Sequence, residues 1–326
     1  MGPFAVMVRI LRDADLRDLV DVPQAVACME RGYRADASGG VIPFPRSRFD
    51  ARDVSLAWLG AAIPSEGVLG FRTYLHGADG GDRGEQVVTL YGHPDMRVRA
   101  VFLGRLVANL RTGAALAAAL HLTEPDAREI GLIGTGAQAR NALACTSTIS
   151  HPSRVLVWSP HREHVEEFRD WSYRALNLRV EIAASAAEVV RSVPVVVFAT
   201  AAERVILTPG EMTSPRLLLS ISAYRRPELD YRILAAAPRI WTDSVAQAGG
   251  PGTLLDTVEG RRKLQPLGQG ILEGTARDRS STRIVVNTGA AWEEVLLSKV
   301  LLESAESHDR GTVLPMPDEP QGASVF

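Results

Sequence analysis

The run EIGLIGTGAQAR, residues 129–140, limits the fold of this chain more than any other stretch. Apolar residues through Ile133 read as a buried strand, and Gly134, Gly136 and Ala139 follow at Gly-x-Gly-x-x-Ala spacing. Gly134 allows the tight turn, Gly136 lets the backbone approach a pyrophosphate, and Ala139 lets the next helix pack close to the strand. Phosphates would sit on exposed N–H groups at the new helix's start, where the helix dipole favours negative charge. A bend without a ligand needs no particular sequel, but here the pattern continues. SRVLVWSP, a helical REHVEEFRDWSYRAL, LRVEIAAS, AAEVVRSV, PVVVFATA and RLLLSISA alternate strand with helix. Such alternation implies a parallel sheet with crossovers, and strands apolar throughout imply cover on both faces. The fold class is α/β, a Rossmann-type doubly wound parallel sheet.

A second texture precedes it. LRDLVDVPQAVACMERGYRADASGG is helical and stops at a Gly pair. DVSLAWLGAAI, GVLGFRTYLHG, EQVVTLYG and RAVFLGRLVANL read as strands of an antiparallel sheet, followed by the Ala-rich helix RTGAALAAALHLT. A last helix, GAAWEEVLLSKVLLESAE, leads into a polar, Pro-containing tail expected to be disordered or loosely docked.

At 326 residues and 46% hydrophobic, the chain has material for two domains of ordinary size. Its 36 Lys and Arg nearly balance 38 Asp and Glu, so no global field draws nucleic acid or an anionic membrane, and a small-molecule partner fits better. Cys28 and Cys145 are too few for a disulfide framework or a cysteine metal cage, and no metal is expected. Arg9, Arg12 and Asp13 interrupt the first apolar stretch before a signal-peptide core forms, and the longest apolar run, VPVVVFATAA, is half a membrane span. The expected location is the cytoplasm.

The end of the second Rossmann strand indicates which dinucleotide is bound. An NAD site places Asp or Glu there for the ribose 2′-hydroxyl, whereas VLVWSPHR offers Ser159, His161 and Arg162. Ser159 can donate a hydrogen bond and Arg162 a charge-assisted one to a 2′-phosphate, so NADP(H) is expected over NAD(H). The other reading of Arg162 is the first residue of a solvated helix.

Four stretches in order, PFPRSR at 43–48, NLRTGAALAAAL at 109–120, GLIGTGAQAR at 131–140 and IVVNTGAAWEEV at 284–295, resemble the ornithine cyclodeaminase and mu-crystallin family. VVVFATA, PELD at 227–230, WTDSVAQA and LGQGILEG extend the resemblance from about residue 10 to 305. It implies a homodimer with the Rossmann domain, 121–289, inserted into an α+β substrate-binding and dimerisation domain, 1–120 plus 290–310, before the tail at 311–326. It also implies a small amino or imino acid substrate. Arg111 matches the arginine between nicotinamide and substrate carboxylate, and Arg46 a second carboxylate-binding arginine. The family's active-site lysine falls at Arg72, two residues before Tyr74, and this is a departure. Thr89, Thr135, Ala137, Gln138, Thr200, Ser222 and Asn287 fall at the cofactor, together with Gly134, Gly136 and Arg111, and Thr288 falls near the substrate.

The chemistry of these residues agrees. A planar guanidinium grips both oxygens of a carboxylate, and three buried arginines need an anion to neutralise them. Arg46, in a Pro-flanked loop, is also read as a solvated charge, and Arg72, on an apolar strand, as half of a structural ion pair. Cyclodeaminases of the family carry an acidic residue six positions before the glutamate that is Glu228 here. Counting back gives Ser222, a poor general base. The function expected first is therefore an NAD(P)H-dependent oxidoreductase acting on the C–N bond of an imino or amino acid. Arg72 and Arg111 then stand at the reacting centre, with His76, Tyr224 or water as proton donor. The alternatives are a cyclodeaminase of a diamino acid and an NADP-bound carboxylate-binding protein with little turnover.

Overall fold

The computed structural model describes residues 6–77, 84–212, 216–223 and 225–316. One sheet contains β1 (Val6–Arg12), β2 (Ile42–Ala51), β3 (Val54–Ile63), β4 (Val68–Gly77), β5 (Gln86–Gly92), β6 (Val98–Leu103) and β15 (Thr312–Met316). The other contains β7 (Glu129–Ile133), β8 (Arg154–Trp158), β9 (Glu181–Ile182), β10 (Val195–Phe198), β11 (Leu217–Ser220), β12 (Ile240–Thr242), β13 (Leu264–Pro266) and β14 (Arg283–Val286).

The first sheet runs β15-β1-β6-β5-β4-β3-β2 and is antiparallel except between β1 and β6. Side chains alternate across it, so Ala57, Leu59, Ala61 and Ile63 of β3 all point inward. The helix Ala291–Ser307 packs on β2 to β5 and carries the helices Val22–Ala37 and Leu106–Thr123. Register sets Leu59, Arg72 and Val88 side by side, which places Arg72 in an otherwise apolar inward row. β2 holds Pro43 and Pro45 and lies at the sheet edge, where missing N–H donors cost no ladder bond.

The outward face is also apolar. Phe49, Leu56 and Leu75 are direct cross-strand neighbours, and all three are exposed. Beside them Phe44 lies against Trp58 (4.3 Å between ring centroids), Trp58 against Phe71 (6.3 Å) and Phe71 against Tyr91 (6.1 Å).

The second sheet is wholly parallel, in the order β13-β12-β14-β11-β10-β7-β8-β9. The direction of winding reverses between β7 and β10, the place where such folds bind ligands at the strands' carboxyl ends. Mixed α/β architecture with a doubly wound sheet is therefore as expected.

Two local expectations fail. The tail is not loose at its start, because Thr312–Met316 extends the first sheet by pairing antiparallel with β1; residues 317–326 lie outside the described residues. RAVFLGRLVANL is not one strand either. Its strand stops at Leu103, Gly104 turns the chain at φ +129°, and a helix starts at Leu106. That helix is started by a distant residue: Asp13 accepts from the amides of Arg105 (3.0 Å) and Leu106 (2.9 Å), so no local cap marks it.

Candidate active site

β7 leads into the glycine turn as the sequence demands. Gly134 sits at φ +112°, and a Cβ there would lie 2.3 Å from the Ala199 carbonyl oxygen, so only glycine fits. Gly136 caps the helix Ala137–Ser150, and a Cβ on it would meet nothing within 4 Å. Its open side faces room rather than protein. A cavity of about 850 Å³ lies at the carboxyl ends of β7, β8 and β10, lined by residues 134–138, by Trp158, Ser159, Pro160, His161 and His164, and by residues 199–204. Of the expected cofactor residues, Gly134, Thr135, Gly136, Ala137, Gln138, Ser159 and Thr200 meet at this cavity.

Others do not. Arg162 begins the helix Arg162–Leu176 with its side chain 79% exposed and turned to Glu166 at 3.0 Å. A salt-bridged i,i+4 neighbour holds it on the outer surface. Thr89 pairs with Phe71 and Val101 on the outward face of the first sheet, opposite Arg72. Period-two alternation alone puts it there. Asn287 does not line the cavity; it is buried, and its amide donates to Glu293 Oε1 at 2.9 Å.

The arginines come together in the interior instead. Arg72 and Arg111 are both buried, and one helix N-terminus holds them. Arg72 Nη1 donates to Glu294 Oε1 at 2.5 Å, and Arg111 Nη1 to Glu293 Oε2 at 2.9 Å. Arg111 Nε also lies 2.9 Å from Glu294 Oε1, without the alignment of a hydrogen bond. Three atoms of this cluster, Arg72 Nε, Arg111 Nε and Glu294 Oε2, are buried with no hydrogen-bond partner among the described residues. Tyr74 follows Arg72 on the same inward row, its ring centroid 4.1 Å from the Arg72 guanidinium carbon and 6.0 Å from that of Arg46. His76 lies edge-on to Tyr74 at 4.8 Å. Arg46 Nη2 reaches the carbonyls of Thr288 (3.3 Å) and Gly289 (3.2 Å), which Gln247 also holds.

Beneath them Asp243, at the end of β12, accepts from the Thr288 amide (2.7 Å), the Thr288 hydroxyl (2.8 Å) and the Ala290 amide (2.8 Å). It fixes the loop that follows β14. Burial, and then the nearby Asp243 carboxylate, push Glu293 well above the ordinary carboxylate range. Burial likewise lowers Arg72, with Glu294 opposing it. Glu293, Glu294, Asp243 and Gln247 were not anticipated. The two glutamates look like ordinary acidic residues in the first turn of a helix, and only the fold shows that arginines 182 and 222 positions earlier meet them.

Residues 7–309 match the ornithine cyclodeaminase/mu-crystallin family over nearly the whole chain. The chain belongs to that family. The iminosuccinate reductase of Paracoccus denitrificans is 24% identical over 230 residues, covering 68% of this chain and 71% of that protein. The structure of that reductase with NAD+ superposes with a TM-score of 0.85 at 21% identity, covering 95% of this chain and all (100%) of that one. The Thermococcus litoralis Δ1-pyrroline-2-carboxylate reductase, solved with NADH and L-proline, gives 0.82 at 19% identity, with 93% and 99% covered.

At the second departure from the family pattern, Ser222 lies in the loop after β11, its hydroxyl 3.4 Å from the Thr200 carbonyl. The carboxyl group beside it is Glu228, which is wholly buried. Thr200 donates to Glu228 Oε2 at 2.5 Å and Ser220 donates to Oε1. Burial raises Glu228 above the usual carboxylate value despite these hydroxyls. It ties the loops after β10 and β11 together. Tyr224 lies outside the described residues. Among the described residues no group of His, Cys, Asp and Glu is placed to hold a metal, and no helix is long and apolar enough to cross a membrane.

Proposed function

We propose that this chain is an NAD(P)H-dependent oxidoreductase acting on the C–N bond of a small imino or amino acid. One observation carries the reading. In the buried cluster, Arg72 Nε is a donor without an acceptor and Glu294 Oε2 is an acceptor without a donor. Leaving such groups buried and unpaired costs about 1–3 kcal/mol each, so the pair is shaped for a ligand that brings both a carboxylate and an N–H. An amino or imino acid brings both. Relatives named as iminosuccinate and pyrroline-2-carboxylate reductases support the same class.

The open side of Gly136 and the cavity behind it fit a dinucleotide, whose pyrophosphate the amides of residues 135–138 would hold. When bound, the nicotinamide supplies the hydride for the substrate carbon. The chain's own residues do the rest. Arg72 and Arg111 take the carboxylate, Arg46 and Thr288 close the pocket, and Glu294 Oε2 accepts the substrate N–H. A reduced imine also needs one proton at nitrogen, and His76, on the same inward row as Arg72, is the candidate donor. Ser159 and the absence of a carboxylate after β8 favour NADP(H). The apolar outward face of the first sheet is the surface of a homodimer. Cyclodeamination needs a carboxylate where Ser222 stands, and Glu228 is sealed behind hydroxyls.

The test is NADPH oxidation with a panel of cyclic and linear imino acids, including Δ1-pyrroline-2-carboxylate, beside ornithine with catalytic NAD. We expect turnover of at least one imino acid, its loss in Arg111→Ala, and no ammonia from ornithine. Enzyme-dependent accumulation of proline from ornithine would replace this reading by cyclodeamination, and no turnover with any imino acid would leave a binding protein.

A further inference from the structure

We propose that His161 and His164 recognise the ribose 2′-phosphate that separates NADPH from NADH, so that protons set the preference between the two. The inference rests on the nicotinamide reading above and replaces Arg162 in it. Strand β8 ends at Trp158 and is followed by Ser159 and Pro160, with no carboxylate to accept from a ribose 2′-hydroxyl. The cavity wall that follows is made by two imidazoles. His161 and His164 both line it, three residues apart and so on one side of the helix, with ring centroids 5.2 Å apart at 56°. His161 occupies the N-cap position but its side chain makes no capping bond, which leaves the ring turned to the cavity rather than spent on the helix.

The surrounding charges do not neutralise this pair. On the same helix Arg162 is bonded to Glu166, which removes both from consideration, and Glu163 lies between the histidines in sequence but does not line the cavity. Across the cavity stand Glu203, its carboxylate 89% exposed and 3.8 Å from Arg226, and Arg204, a fixed positive charge. Arg204 attracts a phosphate at every pH; the histidines do so only when protonated.

An imidazole titrates at about 6.5 when nothing perturbs it, and two imidazolium rings this close repel each other. Protonating both rings in the free protein therefore sets like charge against like charge. A phosphate of about −2 between the rings reverses the balance, since an adjacent anion favours the charged form of histidine. NADPH then binds with proton uptake, and NADH, lacking the phosphate, does not.

The full chain is titrated with NADPH and with NADH, following nicotinamide fluorescence, from about pH 6.5 to about 8.5, above the second ionisation of the phosphate itself. Calorimetry in buffers of different ionisation heat counts the protons. The expected result is NADPH affinity falling about tenfold or more across that range, uptake of about one proton per NADPH near pH 7, and a flat NADH profile. In the double variant His161→Gln/His164→Gln the slope and most of the NADPH preference disappear, with the unfolding temperature of the unliganded protein unchanged. Arg162→Ala keeps both. Tighter NADPH binding without proton uptake, untouched by the histidine variant or lost in Arg162→Ala, overturns the inference and leaves NADP(H) as cofactor. Equal affinities at every pH overturn the NADP(H) reading and this inference together.

Discussion

Glu294 is the residue on which both buried guanidiniums depend. A single carboxylate oxygen lies 2.5 Å from Arg72 Nη1 and 2.9 Å from Arg111 Nε, where the two arginine side chains are only 6% and 8% exposed. Removing it leaves two charges in a low-dielectric interior with Glu293 alone facing Arg111, and Glu293 is itself pushed toward its neutral form. Breaking a buried pair in this way typically costs 3–5 kcal/mol. Glu294→Leu should therefore lower the free energy of unfolding by about that amount in urea titrations. A loss below about 1 kcal/mol, the usual value of exposed ion pairs, would mean that water reaches the cluster and that its unpaired atoms are not set aside for a ligand. The departure from lysine to arginine at position 72 fits this arrangement. Its guanidinium lies over the Tyr74 ring and presents Nη1 to Glu294 and Nε to open hydrogen bonding in one rigid plane, a fork that a single ammonium nitrogen lacks.

At the scale of elements, the turn between β7 and its helix separates two jobs that the sequence motif joins. Gly134 is demanded by the fold, since its positive φ and the Ala199 carbonyl exclude a side chain. Gly136 is not: its φ is −73° and its Cβ direction is empty. Gly134→Ala should thus destabilise the protein by about 1–3 kcal/mol, whereas Gly136→Ala should unfold at the wild-type temperature but bind dinucleotide at least tenfold more weakly. Equal dinucleotide affinity in Gly136→Ala would argue that no pyrophosphate approaches that backbone. The strand-glycine-helix unit was legible in the sequence because everything it needs is local: an apolar run, two glycines and a small residue at fixed spacing. The helix at Leu106 was not, because its amides are capped by Asp13 from 92 and 93 residues away. The same holds for the site. Arg46, Arg72, Arg111 and Thr288 could be named from the resemblance, but Glu293 and Glu294, the acids that pair with Arg72 and Arg111, reach those two arginines only through tertiary packing. Thr89 was named from the resemblance, and the alternation of Gln86, Val88 and Leu90 as inward residues puts it on the other face. Arg162 was chosen for its charge, and here that charge is paired with Glu166 on the surface.

At the scale of the molecule, the first sheet is covered by helices on one face only among the described residues. Phe49, Leu56 and Leu75 form a row on the other, continued by the rings of Trp58, Phe71 and Tyr91, and contiguous apolar surface of that kind marks an interaction site. In the proposed homodimer a second copy covers it. Leu56→Asp should shift sedimentation from dimer toward monomer without changing the circular dichroism of the subunit; a wild type that sediments as monomer at micromolar concentration would remove the proposal. One further consequence belongs to the pairing of β15 with β1. The parallel sheet is built from one uninterrupted stretch, 129–286, whereas the other sheet needs residues 6–103 and then 312–316. On the ribosome, synthesis proceeds at about 5–20 residues per second, so the parallel sheet can be complete while the other sheet still waits for its outermost strand. For that interval β1 has an open edge, available to mispairing until residues 312–316 have been made.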